Sequence, residues 1–156
     1  MQGRLTADAV GEHDGAGEQV GGGAERGEDG GRPGVEAWGV VLAHSVGVQA
    51  TLHALAALPD GVAIAGLLAV AGWWHVDRPW PTIIPWQSTV PDLARVRAAL
   101  GSLLVLLSDD DPFTSDHAGN AALWRERLGA RVQLVPGGKH FNVPTSPPVL
   151  AALRTL

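Results

Sequence analysis

Between residues 40 and 136 the chain repeats one alternation, a short unbroken apolar run followed by a stretch with apolar positions at helical spacing. RVQLVP (131–136), in which Arg131 and Gln133 interrupt the apolar residues, reads as a fourth strand, and the apolar runs are VVLA (40–43), VAIAGLLAVAG (62–72) and SLLVLLS (102–108). Each has strand length and lacks the period-two alternation of a strand with one wet face, so each is expected to be covered on both faces. The intervening segment VGVQATLHALAALP (46–59) reads as a helix stopped by Pro59-Asp60-Gly61, and PDLARVRAAL (91–100) as a helix with Pro91 before its first turn. SDHAGNAALWRERLG (115–129) reads as an amphipathic helix with Ser115 as N-cap and Gly129 in the position after its end, and SPPVLAALRTL (146–156) as a closing helix. The order β-α-β-α-β-α-β-α predicts an α/β fold, a doubly wound, mostly parallel sheet with helices on both faces. Ligands of such sheets bind beyond the carboxyl ends of the strands, so the loops starting at Ala43, Gly72, Ser108 and Pro136 should share one rim.

The N-terminal stretch breaks this pattern. Residues 1–34 show neither periodicity, and their glycine density sets an ordering entropy that the few apolar groups cannot offset. The expected organisation is a disordered Gly/Glu-rich leader over 1–34 and one folded domain over 35–156. Composition is equally compatible with a flexible leader and with a displaced start or reading frame that has replaced the original N-terminus. Residues 1–39 hold 12 of the 21 glycines, eight acidic residues and three arginines, so the formal charge of −5 resides there and the rest of the chain is neutral. A neutral body without a Lys/Arg cluster argues against nucleic acid or an anionic membrane surface as partner. No cysteine is present, which removes disulfides, thiolate metal sites and cysteine nucleophiles from consideration. With no export signal and no apolar run near the roughly 18 residues of a spanning helix, a cytoplasmic protein is expected.

Three of the four rim loops carry reactive side chains. AHSVG (43–47) sets Ser45 at a strand-to-helix seam between Ala43 and Gly47, small residues that a strained, tightly packed turn requires; the pattern is G-x-S-x-G with alanine in its first place. A serine there is also an ordinary N-cap. SDDDPF (108–113) puts three carboxylates directly after a buried strand, a Coulombic cost that implies a use. Asp111 is the expected inward member, because Pro112 keeps it out of helical geometry. The alternatives are a solvated turn, or a metal site that would need further ligands at set spacing. VPGGKHFN (135–142) carries His140 after two glycines that let the backbone swing over the rim. Ser45, Asp111 and His140 follow the chain order Ser…Asp…His, each at the end of a different strand, as a nucleophile, its orienting acid and its general base would. His13, His53, His75 and His117 lie elsewhere, although His75 is on a loop rich in tryptophan. Trp73, Trp74, Trp80 and Trp86 read equally well as a substrate cover and as packing residues.

AHSVG, SDDDPF and GGKHFN, with RPW (78–80) and LARVRAAL (93–100) between them, resemble the small serine hydrolases of the YdeN and retinoblastoma-binding protein nine family, within the α/β-hydrolase superfamily. The resemblance runs from about residue 35 to the C-terminus. It implies Ser45 as nucleophile, Asp111 as acid and His140 as base, acting on small ester or amide (acyl) substrates without metal or organic cofactor. Members of the family begin with a strand, a glycine-rich histidine-containing loop, a helix and a second strand, where this chain has its leader; the expected fold is therefore N-terminally truncated. That loop supplies one oxyanion-hole amide and the residue after the nucleophile, here Val46, supplies the other. Loss of one donor costs roughly 2.7–4 kcal/mol in the transition state, so reduced turnover is expected, and the alternative is a catalytically impaired remnant serving as a binding or interaction module. A phosphate-binding role for GGK (137–139) is disfavoured because FNVP (141–144) does not open a helix.

Overall fold

The computed structural model describes residues 36–37 and 39–156; the leader predicted over 1–34 lies outside the described residues. In chain order the elements are β1 (Glu36–Ala37), β2 (Val40–His44), α1 (Val46–Ala56), β3 (Val62–Val70), α2 (Ile84–Ser88), α3 (Leu93–Ala98), β4 (Leu100–Ser108), α4 (His117–Leu128), β5 (Arg131–Val135) and α5 (Pro147–Leu153). Every expected strand and helix forms. Two short elements, β1 and α2, were not anticipated, since a two-residue pairing and a single turn opened by Pro85 are too short to leave a period in the sequence.

All strand pairs are parallel. β1 and β2 lie along the same edge of β3 in one register, Glu36 opposite Val62 and Val40 opposite Gly66, while β3 pairs with β4 and β4 with β5. Because each crossover moves to the next strand in the same direction, right-handedness places its helix on the same side each time. α1, α3 and α4 accordingly form one layer over Ala43, Leu67, Ala69, Leu103, Val105 and Leu107. The alternate residues Leu68, Val70, Leu104 and Leu106 face the other way, against Ala152 and Val149 of α5 and against Phe141. Helices thus lie on both faces, three against one.

This imbalance corrects one expectation about β2. β3 and β4 are buried over most of their length, as unbroken apolar runs require. Val40 and Leu42 of β2, by contrast, are each 48% exposed, because among the described residues β2 pairs only with β3 and its outer face is incompletely covered.

The strand ends coincide, as a shared rim requires. His44 is level with Val70, Val70 with Leu106, and Ser108 with Val135. Trp124 of α4, fully buried, donates its indole N–H to the carbonyl of Gly72 at 3.1 Å. Asn120, one turn earlier, accepts the amides of Trp74 and His75 with its side-chain oxygen at 2.7 and 3.1 Å. The loop after β3 is therefore anchored from beneath the sheet, and its position relative to the neighbouring loops is fixed.

Candidate active site

Ser45 ends the strand β2 and opens α1 with φ 53° and ψ −125°, a left-handed conformation that an L-residue adopts only under constraint. Its amide donates to the carbonyl of Val70 at 2.9 Å, and its own carbonyl accepts from Val48, which lock the turn from both sides. The strain turns the hydroxyl out over the rim instead of into the helix cap, and Ser45 makes no side-chain capping bond. Val46, the first residue of α1, lies in the turn whose amides have no partner within the helix. The tight packing expected at Gly47 is absent: a methyl group there would meet nothing within 4 Å among the described residues.

The structure brings the three expected side chains together. The Ser45 hydroxyl lies 2.9 Å from His140 Nε2, and His140 Nδ1 lies 2.8 Å from Asp111 Oδ2. A carboxylate can only accept, so the proton of the neutral imidazole sits on Nδ1 and Nε2 is free to accept from the hydroxyl. Asp111 and His140 are buried, at 7% and 8% exposure, which shields this pair of hydrogen bonds from competing water. Asp111 is itself held by the amide of Phe113, which donates to its second oxygen at 2.9 Å, the short-range turn expected of an aspartate before proline.

Several residues around this trio have no signal of their own in the sequence. His44 donates from Nε2 to the main-chain carbonyl of His140 at 2.7 Å, with the two rings edge to face at 4.9 Å. Phe113 also packs edge-on against His140, ring centres 4.7 Å apart, and Trp80 packs on Phe113 at 5.7 Å. Trp80 is thus the tryptophan of the four that stands at the site, 44% exposed, whereas Trp73 and Trp74 are buried packing residues and Trp86 packs beside Trp73 and against His53. His75 is bonded to Gln87, and His13 lies outside the described residues.

The aspartate run separates three ways. Asp109 and Asp110 accept backbone amides of the histidine loop, from Gly137 at 2.9 Å and Lys139 at 2.7 Å, while Asp111 takes the imidazole. The Ser108 hydroxyl donates to Asp110 at 2.6 Å. That bond, followed by the Lys139 amide and charge, holds the Asp110 carboxyl below the usual carboxylate range, against the raising effect of partial burial. Among the described residues no group of three or more His, Asp or Glu is arranged to hold a metal ion.

Two hollows flank the site. One, of about 420 Å³, is apolar and lined by Leu42, His44, Val70, Phe141, Val149 and Leu150 among others. The other, of about 640 Å³, is polar and lined by His75, Asp77, Arg78, Phe113 and Ser115 among others. Among the described residues no helix is long and apolar enough to cross a membrane.

Comparison with known proteins bears on the fold and the family. The sequence model of the family described as "Serine hydrolase" matches residues 35–146, well over half of the chain. Among solved structures, the ydeN gene product of B. subtilis is similar, with a TM-score of 0.62 and 23% sequence identity. The match covers 74% of this chain and 63% of that one, so the chain spans less than two thirds of that protein's length. At this identity the likeness speaks for the fold, a mostly parallel α/β sheet of the same kind. No curated protein sequence matches the chain.

Proposed function

The chain belongs to the serine hydrolase family, and from that premise we propose that it cleaves small acyl esters or amides through a Ser45–His140–Asp111 triad. The observation that supports this reading is the unbroken relay from hydroxyl to imidazole to carboxylate, at 2.9 and 2.8 Å, across three separate loops. His140 Nε2 takes the proton of Ser45 as Oγ attacks the substrate carbonyl carbon, and Asp111 stabilises the imidazolium that forms. The Val46 amide, unpaired within the helix, donates to the developing oxyanion. Collapse breaks the bond to the alcohol or amine, which leaves with the proton from Nε2, and an acyl group remains on Ser45. Water then attacks the acyl carbon, gives its proton to Nε2, and releases the acid as Oγ regains a proton. No metal or organic cofactor enters any step. On this reading the substrate is a small molecule and the enzyme acts in the cytoplasm.

A fluorophosphonate probe tests this. Labelling of the folded wild type that disappears in Ser45→Ala and falls sharply in His140→Ala is the expected result; a folded wild type that takes no label overturns it.

One observation favours a second reading. Among the described residues β2 is unpartnered on its outer side, next to Ser45, and Val46 is the one oxyanion donor expected among them. A site with a single donor turns over slowly, and an unpaired strand edge favours association with another chain. Labelling of Ser45 without steady-state hydrolysis of p-nitrophenyl acetate would select this reading, a binding module that keeps the relay, over the enzyme.

A further inference from the structure

The run Asp109-Asp110-Asp111 reaches the histidine loop three times, but one of its carboxylates touches the imidazole. The other two hold the backbone leading to it: Asp109 Oδ1 accepts from the Gly137 amide at 2.9 Å and Asp110 Oδ1 from the Lys139 amide at 2.7 Å. On the far side the His44 ring donates to the His140 carbonyl at 2.7 Å. What these bonds restrain is an unfavourable path of the chain. Gly137, Lys139 and Phe141 have φ of 67°, 49° and 56°, so residues bearing side chains sit in the left-handed region immediately before and after His140. Left unrestrained, such residues relax toward negative φ, and a change of backbone dihedral next to His140 would swing its ring away from both Ser45 and Asp111.

On the hydrolytic reading given above, we infer that Asp109 and Asp110 are positioning residues, which hold the 137–141 loop in its strained form and thereby keep His140 Nε2 in reach of the Ser45 hydroxyl. They act through main-chain amides and touch no reacting atom. Three like charges in sequence are tolerated because their carboxylates diverge to three separate donors. The Ser108 hydroxyl donates at 2.6 Å to the same Asp110 oxygen that accepts the Lys139 amide, which holds that oxygen in place. The exposed Lys139 ammonium, 4.0 Å from Asp110, contributes little by comparison.

The test uses the full chain as Asp109→Ala, Asp110→Ala and Asp110→Asn, since asparagine keeps a neutral acceptor in the same place. With p-nitrophenyl acetate, the alanine variants are expected to lower kcat roughly tenfold to a hundredfold, the size of effect that a misplacement of about 1 Å produces, with KM little changed. Asp110→Asn should retain most of the rate. The Nδ1 proton of His140, bonded to Asp111, should give a downfield proton NMR resonance in the wild type that persists in Asp110→Asn and is lost or shifted in the alanine variants. In a His140→Ala background the alanine substitutions should add no further loss of probe labelling, because residues that act as a unit are not additive. Wild-type kcat and an unmoved resonance in both alanine variants would overturn the inference. So would an equal loss with and without His140, or a loss in Asp110→Asn as large as in Asp110→Ala. A wild type inert to ester and probe removes the hydrolytic reading, while the resonance still decides whether Asp109 and Asp110 set the imidazole.

Discussion

His140 is held at both ring nitrogens and at its own carbonyl, by Asp111, Ser45 and His44. Replacement of Asp111 by asparagine would preserve its shape but offer an N–H₂ or an amide oxygen where a carboxylate stood, which frees the imidazole to take the wrong tautomer. Asp111→Asn is expected to lower kcat by roughly 10⁴-fold, as for the equivalent substitution in a serine protease triad, with thermal stability little affected; steady-state kinetics and calorimetry separate the two. A second aspartate makes a different prediction. Asp77 accepts the Ser115 amide at 2.8 Å, and this bond, then that of the Ser115 hydroxyl, holds its carboxyl below its ordinary value of 3.8, helped by His75 and Arg78. A lowered value in the folded state means that the contribution is complete above pH 3.8 and is lost as pH falls through the lowered value. Melting temperatures measured on acidification should therefore fall more steeply for the wild type than for Asp77→Asn below that pH. Which aspartate of 109–111 touches the imidazole was legible from Pro112 alone, but the work of the other two was not, because amides 28 and 29 residues away leave no mark in the local sequence.

At the scale of elements, α4 ties the sheet to the rim. Its start was expected at Ser115; the cap is Asp116, whose carboxylate accepts the Gly119 amide at 2.8 Å. The one-residue difference arises because the Ser115 amide is engaged by Asp77 in the neighbouring loop, an interaction 38 residues long-range that no local capping rule contains. The helix end was legible: Gly129 has φ 65° and its amide returns to Arg125. Because a methyl group there would meet nothing within 4 Å, the effect of Gly129→Ala isolates the conformational penalty. It should cost about 1 kcal/mol, the usual left-handed penalty for an L-residue, read as a shift of the urea midpoint with unchanged slope. α3 has Asp92 as its cap, one residue after Pro91, and its first helical residue is Leu93.

At the scale of the whole molecule, the helical layer of α1, α3 and α4 converges on Trp124, fully buried between α4 and the sheet and packed against Trp74 at 4.9 Å. Trp124→Ala should destabilise the fold by roughly 3–5 kcal/mol, the range for deleting a buried tryptophan, measured by chemical denaturation. It should also loosen the loop after β3, whose Gly72 carbonyl loses its donor. The strands and helices, their parallel order, and the seams at which Ser45, Asp111 and His140 stand are legible in the residues alone. Burial on two faces and helical spacing are written in the identity of consecutive residues, and handed crossovers then place every strand end on one rim. How those seams meet is set by the packed chain: the 2.9 Å approach of Ser45 to His140, the ring contacts of His44 and Phe113 with the imidazole, and, among the described residues, the unpaired outer edge of β2. These depend on strand register and on backbone turned to positive φ at Ser45, Lys139 and Phe141. Neither is a property of neighbouring residues; both follow from the energy of the assembled sheet, which alone outweighs the local strain.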